Sequence, residues 1–415
     1  MTVAEGEVPV LTARSRATDP VSSLLPVLDA ASPLLFMRKG EGLAGIGEAV
    51  RLTFRGPARI SQAAEAWLRI AASASVDDTV RLPGSGLVAF GAFTFAAESA
   101  HESVLIVPRV IIGRRDGVSW VTEVTATGDD TPLPTPAEQP FGPESATSLH
   151  PGEIGPERFR ELVADAVARL GSEGLRKVVL ARDLVGELPE GADVRRVLGR
   201  LAEAYPDTWT FAVDGHIGSS PETLVQVGNG MATARVLAGS IARGADADAD
   251  AAAAHRLANS EKDRDEHRYA VQSVVDALAP HARGGVTASE TPFTLQLPNL
   301  WHLATNIEGV LSDASSALDL AAALHPTAAV AGTPTPMALD AIRDLEPLDR
   351  GRYGGPVGWV DAAGDGTWAV SLRSAEVSGR TIRAYAGSGI LAASDPESEL
   401  AETQLKFRPM VEALG

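Results

Sequence analysis

Strands are more frequent in this sequence than a regular alternation of strands and helices would allow. Beyond position 156, short apolar runs recur, and several are separated only by a turn. Gly228, Asn229 and Gly230 divide two of them, Thr223–Val227 and Met231–Ala238, as the turn of a hairpin. Strands joined by hairpins run antiparallel, so the pattern predicts an α+β fold with antiparallel sheets.

Further strands and a few helices account for most of the chain after position 156. The other predicted strands are Lys177–Leu188, Thr208–Asp214, Trp301–Glu308, Pro356–Asp361, Thr367–Ser374 and Thr381–Ala386. The predicted helices are Phe159–Leu170 with Gly171 as its stop signal, Lys262–Leu278, and Pro396–Leu414. The Asp- and Ala-rich run after Gly244 predicts a surface loop or the start of a helix.

One long segment divides the chain by composition. Residues 127–156 are rich in Pro, Gly, Ser and Thr and predict a connecting loop between residues 1–126 and 157–415. A length of 415 residues leaves two or three domains open on this evidence.

The charge and cysteine content exclude several classes of function. A formal net charge of −18 argues against nucleic acid or an anionic membrane as a partner, and an anionic substrate would need a local cationic pocket or a metal. The chain has no cysteine, which excludes disulfides, zinc–thiolate sites and cysteine nucleophiles. The N-terminus lacks the apolar run of a signal peptide, and Leu320–Leu339 contains three prolines and a glycine, so neither predicts a membrane segment. We expect a cytoplasmic protein.

Two acidic pairs have helical spacing. Asp263 and Glu266 are three residues apart on one predicted helix, and Glu399 and Glu402 are three apart on another, with Lys406 four residues further on the same face. Two such pairs could converge on one hard cation such as Mg²⁺. On spacing alone, solvated helix faces are the commoner explanation.

Other candidates are single residues near strand ends. Lys177 opens an apolar strand, where an inward-facing lysine would be desolvated and could serve as a base, whereas an outward-facing one would be solvated. Glu222 follows Pro221 in a turn, where carboxylates are common. His302 alternates with apolar neighbours, as hydrogen-bonded core histidines do.

Glycines at strand ends allow a ligand to approach the backbone closely, although they also form ordinary turns. Four small residues of this kind follow predicted strands: Gly239, Ser240, Gly387 and Gly389. By contrast, Gly84, Ser85 and Gly86 lack the third glycine of a dinucleotide fingerprint, so NAD binding is not expected.

Nine segments in order resemble the chorismate-utilising family, which includes isochorismate, salicylate, anthranilate and aminodeoxychorismate synthases. They are KVVLAR (177–182), SPETLV (220–225), LAGSIARG (237–244), SEKDRDEH (260–267), LWHLAT (300–305), LHPTAAVAGTP (324–334), LEPLDRGRYGGPVGW (345–359), AGSGI (386–390) and ESELAETQLK (397–406). Residues 1–126 fit more loosely, with GLVAFGAFTF (86–95) as their best match. The resemblance implies one large domain of packed antiparallel sheets with helices outside.

The resemblance also implies a role for each matched position. Lys177 matches the lysine that activates water, and Glu222 matches the general acid. Glu266 and Glu402 match Mg²⁺ ligands, with Asp263 and Glu399 as their neighbours. The positions matched around the substrate are Gly239, Ser240, His302, Thr305, Arg373, Gly387, Gly389 and Lys406.

Two positions discriminate within the family. Aminodeoxychorismate synthases carry a nucleophilic lysine where this chain has Ala238, and anthranilate synthases, which use ammonia, usually have glutamine in place of Lys177. Water needs a base whereas ammonia does not, so this combination indicates water as the nucleophile. The resemblance therefore favours isochorismate synthase, with salicylate synthase or a non-catalytic chorismate-binding protein as alternatives.

The implied ligands and partners are few. We expect chorismate as substrate, Mg²⁺ as cofactor, no glutaminase subunit, no nucleic acid or membrane partner, and a monomer. Whether the product would enter menaquinone or siderophore biosynthesis stays open.

Overall fold

A computed structural model describes residues 10–170 and 174–415, and these form 23 strands. They are β1 (Leu11–Thr18), β2 (Leu34–Arg38), β3 (Glu41–Ile46), β4 (Val50–Phe54), β5 (Ser75–Asp78), β6 (Val88–Ala92), β7 (Ser103–Val107), β8 (Val110–Arg115), β9 (Val118–Ala126), β10 (His150–Pro151), β11 (Lys177–Glu187), β12 (Trp209–Val213), β13 (His216–Ser220), β14 (Thr223–Gly228), β15 (Met231–Ala242), β16 (Thr287–Ala288), β17 (Phe293–Gln296), β18 (Leu300–Val310), β19 (Gly332–Thr333), β20 (Pro356–Asp361), β21 (Gly366–Val370), β22 (Ser374–Ser378) and β23 (Thr381–Ile390).

Eight α-helices and one 3₁₀ turn, Ala279–His281, complete the described chain. The helices are α1 (Arg59–Ser73), α2 (Pro156–Arg169), α3 (Arg195–Ala204), α4 (Ala247–Asn259), α5 (Glu261–Leu278), α6 (Ala317–Leu324), α7 (Thr335–Leu345) and α8 (Pro396–Leu414). No helix of residues 10–170 and 174–415 is long and apolar enough to cross a membrane.

The strands form two large sheets. The first has 13 described strands in the order β10-β11-β23-β22-β13-β12-β2-β3-β8-β9-β1-β5, with β19 also paired to β11. The second has 10 in the order β16-β18-β15-β14-β21-β20-β6-β7-β4, with β17 also paired to β18. Among the pairings of the described strands, only β1 with β5 is parallel. The predicted α+β fold with antiparallel sheets is confirmed.

A large apolar core joins the sheets to their helices. Fully buried Phe36 of the first sheet and Phe90 of the second belong to the same cluster of packed side chains. Residues of α1, α2, α5, α6, α7 and α8 also belong to this cluster. Burying the apolar stripe of each helix against a sheet removes its hydrophobic surface from water, which is the main favourable contribution to such a fold.

Strands from before and after the proline-rich connection alternate within both sheets. In the first sheet β2 lies beside β12, and in the second β6 lies beside β20. The connection itself is mostly without regular structure, as predicted, but it includes β10, and α2 begins at its last residue.

The predicted element bounds are correct for α8 and β20 and differ elsewhere. The predicted strand Thr367–Ser374 ends at Val370, because Arg373 has a φ of +50°, a left-handed conformation that breaks the extended backbone. The Asp- and Ala-rich run starts helix α4, whose first turn is capped by the Asp246 side chain. The stop signal at Gly171 lies outside the described residues.

Candidate active site

A cavity lies between the two sheets, bordered by α5 and α8. Strands β11, β15, β18 and β23 also border it. Ten of the residues singled out from the sequence line it: Glu222, Gly239, Ser240, Glu266, His302, Arg373, Gly387, Gly389, Glu402 and Lys406. Residues as far apart along the chain as Glu222 and Lys406 therefore meet at one place.

Lys177 is fully buried at the start of β11 and lies just behind the cavity wall. Its Nζ is 2.9 Å from Oε1 of Glu266 on α5, in a direction that does not make a good hydrogen bond. The solvent-exposed alternative for this lysine is thereby excluded. Glu266 is its ion-pair partner and covers it from the cavity side, so opening this pair would expose Lys177.

Gly389 provides the space for that ion pair. It lies on β23 opposite Val179 of the neighbouring strand β11. A Cβ added at Gly389 would be 2.6 Å from Glu266 Oε1 and 2.9 Å from Lys177 Cε. Both distances are shorter than a carbon atom tolerates, so only glycine allows the pair to lie over this strand.

Glu222 follows β13, where Pro221 ends the strand pairing and directs the chain into the cavity wall. The side chain is 4 % exposed. Burial raises the pKa of Glu222 to about 7, and this effect outweighs the opposing charges of Arg373 and Lys177. A carboxyl with this pKa is partly protonated near neutral pH and can donate a proton.

Arg373 and His302 form a buried pair on the cavity wall. Arg373 Nη2 lies 3.0 Å from His302 Nε2, and His302 Nδ1 lies 3.2 Å from the carbonyl oxygen of Gly239. Because arginine only donates and a carbonyl only accepts, the histidine carries its proton on Nδ1. Burial, together with the charge of Arg373, lowers the pKa of His302 to about 3, so the ring is neutral.

A separate hydrogen-bonded group holds the turn that carries Arg373. Nδ1 of His216 lies 2.8 Å from Glu376 Oε2, and its Nε2 lies 2.5 Å from Ser371 Oγ. Ser371, two residues before Arg373, is 3.1 Å from Ser374 Oγ. These contacts fix both ends of the turn and offset the cost of its left-handed residue.

Glu402 is the most heavily hydrogen-bonded carboxylate in the cavity. It accepts from Ser240 Oγ and Ser388 Oγ at 2.5 Å each, and Lys406 Nζ lies 2.9 Å away. Burial opposes ionisation, but the charge of Lys406 and the two hydroxyls outweigh it and lower the pKa of Glu402 below its usual range. Glu402 is therefore an anion in the cavity wall.

The other two acidic candidates lie behind this wall. Glu399 is 2 % exposed, accepts from Ser388 Oγ and pairs with Lys262 Nζ at 3.0 Å. Burial and the charge of Glu402 raise the pKa of Glu399. Asp263 packs beneath Gly239, and burial raises its pKa as well. The structure thus brings Glu266 and Glu402 to the cavity surface and places Asp263 and Glu399 behind them.

Thr305 is the one substrate-pocket candidate that does not line the cavity. Its Oγ1 lies 2.7 Å from His267 Nε2, whose Nδ1 is 3.1 Å from the carbonyl oxygen of Ala238. Since a carbonyl only accepts, Nδ1 carries the proton, so Thr305 donates to Nε2. Thr305 thereby helps to hold α5, and with it Glu266, against β15.

Gly239 and Ser240 occupy an irregular point of β15. The register between β15 and β18 shifts between Leu237 and Ser240, and Gly239 has a φ of +78°. This bulge leaves the Gly239 carbonyl free for His302 and points Ser240 at Glu402. The carbonyl of Gly387 is likewise free to bind a side chain and accepts a hydrogen bond from Lys406 Nζ at 2.9 Å.

Several residues that build the cavity were not predicted from the sequence. Tyr353 and Tyr385 stack with ring centroids 5.4 Å apart and form part of the wall. Ser388 joins two carboxylates, and Lys262 links α5 to α8. Ser388 lies inside one of the quoted segments, so its position between two ligand-facing glycines is the only signal that could have identified it.

The donor set is suited to a hard cation, although it is not a ready-made cage. Within residues 10–170 and 174–415, no three acidic or histidine side chains come close enough to hold a metal by themselves. Glu266 and Glu402 do reach the cavity, however, in addition to Glu222, and Mg²⁺ needs only one or two carboxylates besides water and ligand oxygens. The residues present therefore fit Mg²⁺.

Comparison with known families agrees with this geometry. Residues 7–415 match the family described as "Chorismate binding enzyme". The chain belongs to this family. The resemblance seen in the nine sequence segments is confirmed, and the family implies chorismate as the small-molecule ligand.

Individual relatives cover much of the chain. It is 42 % identical over 272 residues to isochorismate synthase DhbC of Bacillus subtilis, covering 63 % of this chain and 68 % of that protein. It is 38 % identical over 347 residues to putative isochorismate synthase MenF of Mycobacterium tuberculosis, covering 80 % and 87 %. The crystal structure of a putative 2,3-dihydroxybenzoate-specific isochorismate synthase, DhbC, from Bacillus anthracis is 32 % identical with a TM-score of 0.78, covering 94 % of this chain and 98 % of that one.

Proposed function

We propose that this protein is an isochorismate synthase, which interconverts chorismate and isochorismate by moving a hydroxyl group on the ring. The observation that carries the proposal is Glu222, a buried cavity-wall carboxyl whose pKa is raised to about 7, in a cavity that has a buried lysine just behind its wall. Relatives that bear the name isochorismate synthase support it.

The reaction requires one base and one acid. Water would attack C2 of the ring and lose a proton to Lys177 while the double bonds shift. The C4 hydroxyl would leave as water after taking the proton of Glu222. Hydroxide is a poor leaving group, so the acid has to be protonated at working pH, which the burial of Glu222 favours. In the reverse direction the two residues exchange roles.

Lys177 can accept a proton only after two events. The ammonium first has to lose its own proton, and the ion pair with Glu266 has to open so that water can reach Nζ. Lys177 is fully buried, so water cannot reach its Nζ while the pair with Glu266 is closed. Rotation of the Glu266 side chain toward the cavity would accomplish the second step.

The cations in the wall would bind the two carboxylates of chorismate. Arg373 is buried beside a neutral histidine, so its charge is not cancelled by a direct ion pair among the described residues. Lys406 is shared with Glu402 and lies at the cavity edge. A planar guanidinium suits bidentate contact with a carboxylate, and the ammonium adds a point charge.

We further propose that Glu266 and Glu402 hold a Mg²⁺ ion. When bound, it would add to the positive charge that Arg373 and Lys406 place next to the substrate carboxylates in a protein of net charge −18. Glu402 is already ionised and oriented by three donors, whereas Glu266 would exchange Lys177 for the cation. Activity should disappear in excess EDTA and return with added Mg²⁺.

Water rather than ammonia is the proposed nucleophile. Ala238 lines the cavity and offers no amine, and Lys177 provides the base that water needs. We therefore propose that the protein needs no glutaminase subunit. We also propose that it acts as a monomer, as the family resemblance implies, and that it works in the cytoplasm, which a chain without cysteine suits.

The direct test is incubation of the protein with chorismate and Mg²⁺ in ¹⁸O-labelled water. Chromatography and mass spectrometry should show isochorismate with one solvent oxygen at C2. Accumulation of salicylate would mean that pyruvate elimination follows the first step. Anthranilate in the presence of ammonium, or unchanged chorismate, would refute the proposal.

A further inference from the structure

A second cavity lies on the far side of Arg350 from the chorismate cavity. Its volume is about 560 Å³, and it is formed where the start of α1 meets α6, α7 and the loop after α7. Its apolar lining includes Phe95, Ala322, Leu339 and Ile342. The proposed reaction makes no use of this space.

One charge in its wall has no counter-ion. Arg59 is 5 % exposed and lines the cavity. Its guanidinium donates to the carbonyl oxygens of Thr94, Phe95 and Gly56, and its Nη2 also lies 3.2 Å from Nε2 of His325, which lines the same cavity. No carboxylate of the described residues lies within ion-pair distance of Arg59. Four of its five N–H groups donate to these carbonyls, so one on Nη1 is left without an acceptor among these contacts.

The other buried charges around this cavity are balanced. At its rim, exposed Asp349 has no ion-pair partner among the described residues and accepts from Ser99 Oγ at 3.0 Å and the backbone N–H of Ala100 at 2.8 Å. Arg350 is paired with Glu346 at 2.6 Å, and exposed Arg343 is paired with Glu98 and Asp340. Burial lowers the pKa of Arg59. The negative charge of Glu98 raises this pKa in part, but Glu98 is itself exposed. The buried part of the wall therefore carries one unbalanced positive charge.

The start of helix α1 adds to the positive electrostatic potential in this cavity. Its first turn has no acidic residue, and Ala58 at the N-cap makes no side-chain hydrogen bond to the helix. The positive end of the helix dipole is thus uncompensated at the point where Arg59 and Ser61 enter the cavity wall. An anionic group placed there would meet both the guanidinium and the helix end.

We propose that this cavity is a second small-molecule site, which binds a compound with one carboxylate and an apolar, ring-sized body. The carboxylate would lie against Arg59, and the body would fill the space between Phe95, Leu339 and Ile342. A neutral ligand would leave the buried charge unbalanced, and a dianion would exceed it. The proposal does not rest on the chemistry of the first cavity.

A ligand bound in the second cavity would act on the chorismate cavity through the wall that the two share. Arg350 lines both of them, and its ring-facing guanidinium lies 4.4 Å from the Phe95 ring centroid. It also donates to the carbonyl oxygen of Val179, and Glu346 accepts from the backbone of Ala181 at 2.6 Å. Both contacts hold β11, the strand that begins with Lys177, so a ligand that shifts Phe95 would also act on this strand.

The test compares naphthalene-2-carboxylate with naphthalene-2-carboxamide, which has the same shape without the charge. Calorimetric titration of the full-length protein should show saturable binding of the carboxylate with a Kd of about 1 mM or below, as expected for a ligand of this size. The carboxamide should bind at least about tenfold more weakly, because a charge-assisted hydrogen bond is lost. Equal affinity, or no saturable binding of the carboxylate, would refute the proposal.

Two variants locate the site. Leu339→Trp fills the cavity and should abolish binding, whereas Leu68→Trp, on the exposed face of α1, should leave it unchanged. Far-UV circular dichroism checks that both fold. If Arg373→Ala abolished binding while Leu339→Trp retained it, the probe would occupy the chorismate cavity and the inference would be wrong. Because binding is measured without turnover, this result is independent of whether the protein converts chorismate.

Discussion

Replacement of Glu222 by glutamine should change how stability depends on pH. Burial raises the pKa of this carboxyl from 4.5 to about 7 in the folded protein. Between these values the folded state keeps a proton that the unfolded state releases. The resulting contribution to stability is full below pH 4.5, declines as pH rises and is lost above pH 7. Glutamine has the same shape and does not titrate.

The size of the effect follows from the two pKa values. Between pH 5 and pH 8, the free energy of unfolding of the wild type should fall by about 2.5 kcal/mol relative to Glu222→Gln. Urea denaturation followed by tryptophan fluorescence at unit pH intervals measures this difference. Exposed Glu308→Gln is the control, and its curve should run parallel to that of the wild type.

The same variant should lose on the order of 10² in kcat, since the leaving hydroxyl then has no acid. Wild-type kcat should fall as pH rises through about 7, where Glu222 loses its proton. If the stability difference between wild type and Glu222→Gln were the same at pH 5 and pH 8, Glu222 would ionise normally. Its assignment as the acid would then fail.

Three further substitutions test the rest of the cavity. Lys177→Ala should lower kcat by on the order of 10² or more in the ¹⁸O assay, and near-normal labelled turnover would mean another base. Gly389→Ala should displace the Lys177–Glu266 pair and reduce kcat. The urea midpoint should change little, because the atoms that must move are side-chain ends. Gly228→Ala, where a Cβ would meet open space, is the control and should change neither kcat nor the urea midpoint. Arg373→Ala should reduce kcat/KM by about tenfold to hundredfold through loss of a charged hydrogen bond, and a near-normal value would show that Arg373 does not contact substrate.

The part of the site that spacing could predict is the part that lies on regular elements. Glu399, Glu402 and Lys406 share a helix face, and the structure places Lys406 2.9 Å from Glu402 as the i,i+4 relation requires. Spacing does not say which of two neighbouring carboxylates faces the ligand. That depends on how α8 is rotated against β23, and the rotation leaves Glu402 in the cavity and Glu399 behind it.

Irregular backbone and long-range contacts were beyond prediction from one sequence. The left-handed turn at Arg373 looks like a continuing strand, because residues 370–373 alternate between apolar and polar. Tyr353 reaches the site from the turn before β20, and Ser388 reaches it through the pairing of β23 with β11; no local pattern specifies either contact. The roles that the family resemblance implies for Lys177 and Glu222 stay predictions until the variants are measured, although the burial of both side chains is what those roles require.

The pairing of β11 with β23 has a consequence for how the molecule is made. The two strands lie side by side for ten residues, although Lys177 opens the first and Gly389 lies near the end of the second. A nascent chain released only as far as α7 would lack that partner strand and the charged residues of α8, which leaves β11 with an open edge. Such distant pairings close slowly, since loop entropy is lost before contacts form. Ribosome-bound intermediates should therefore be chaperone clients and prone to aggregate until α8 emerges.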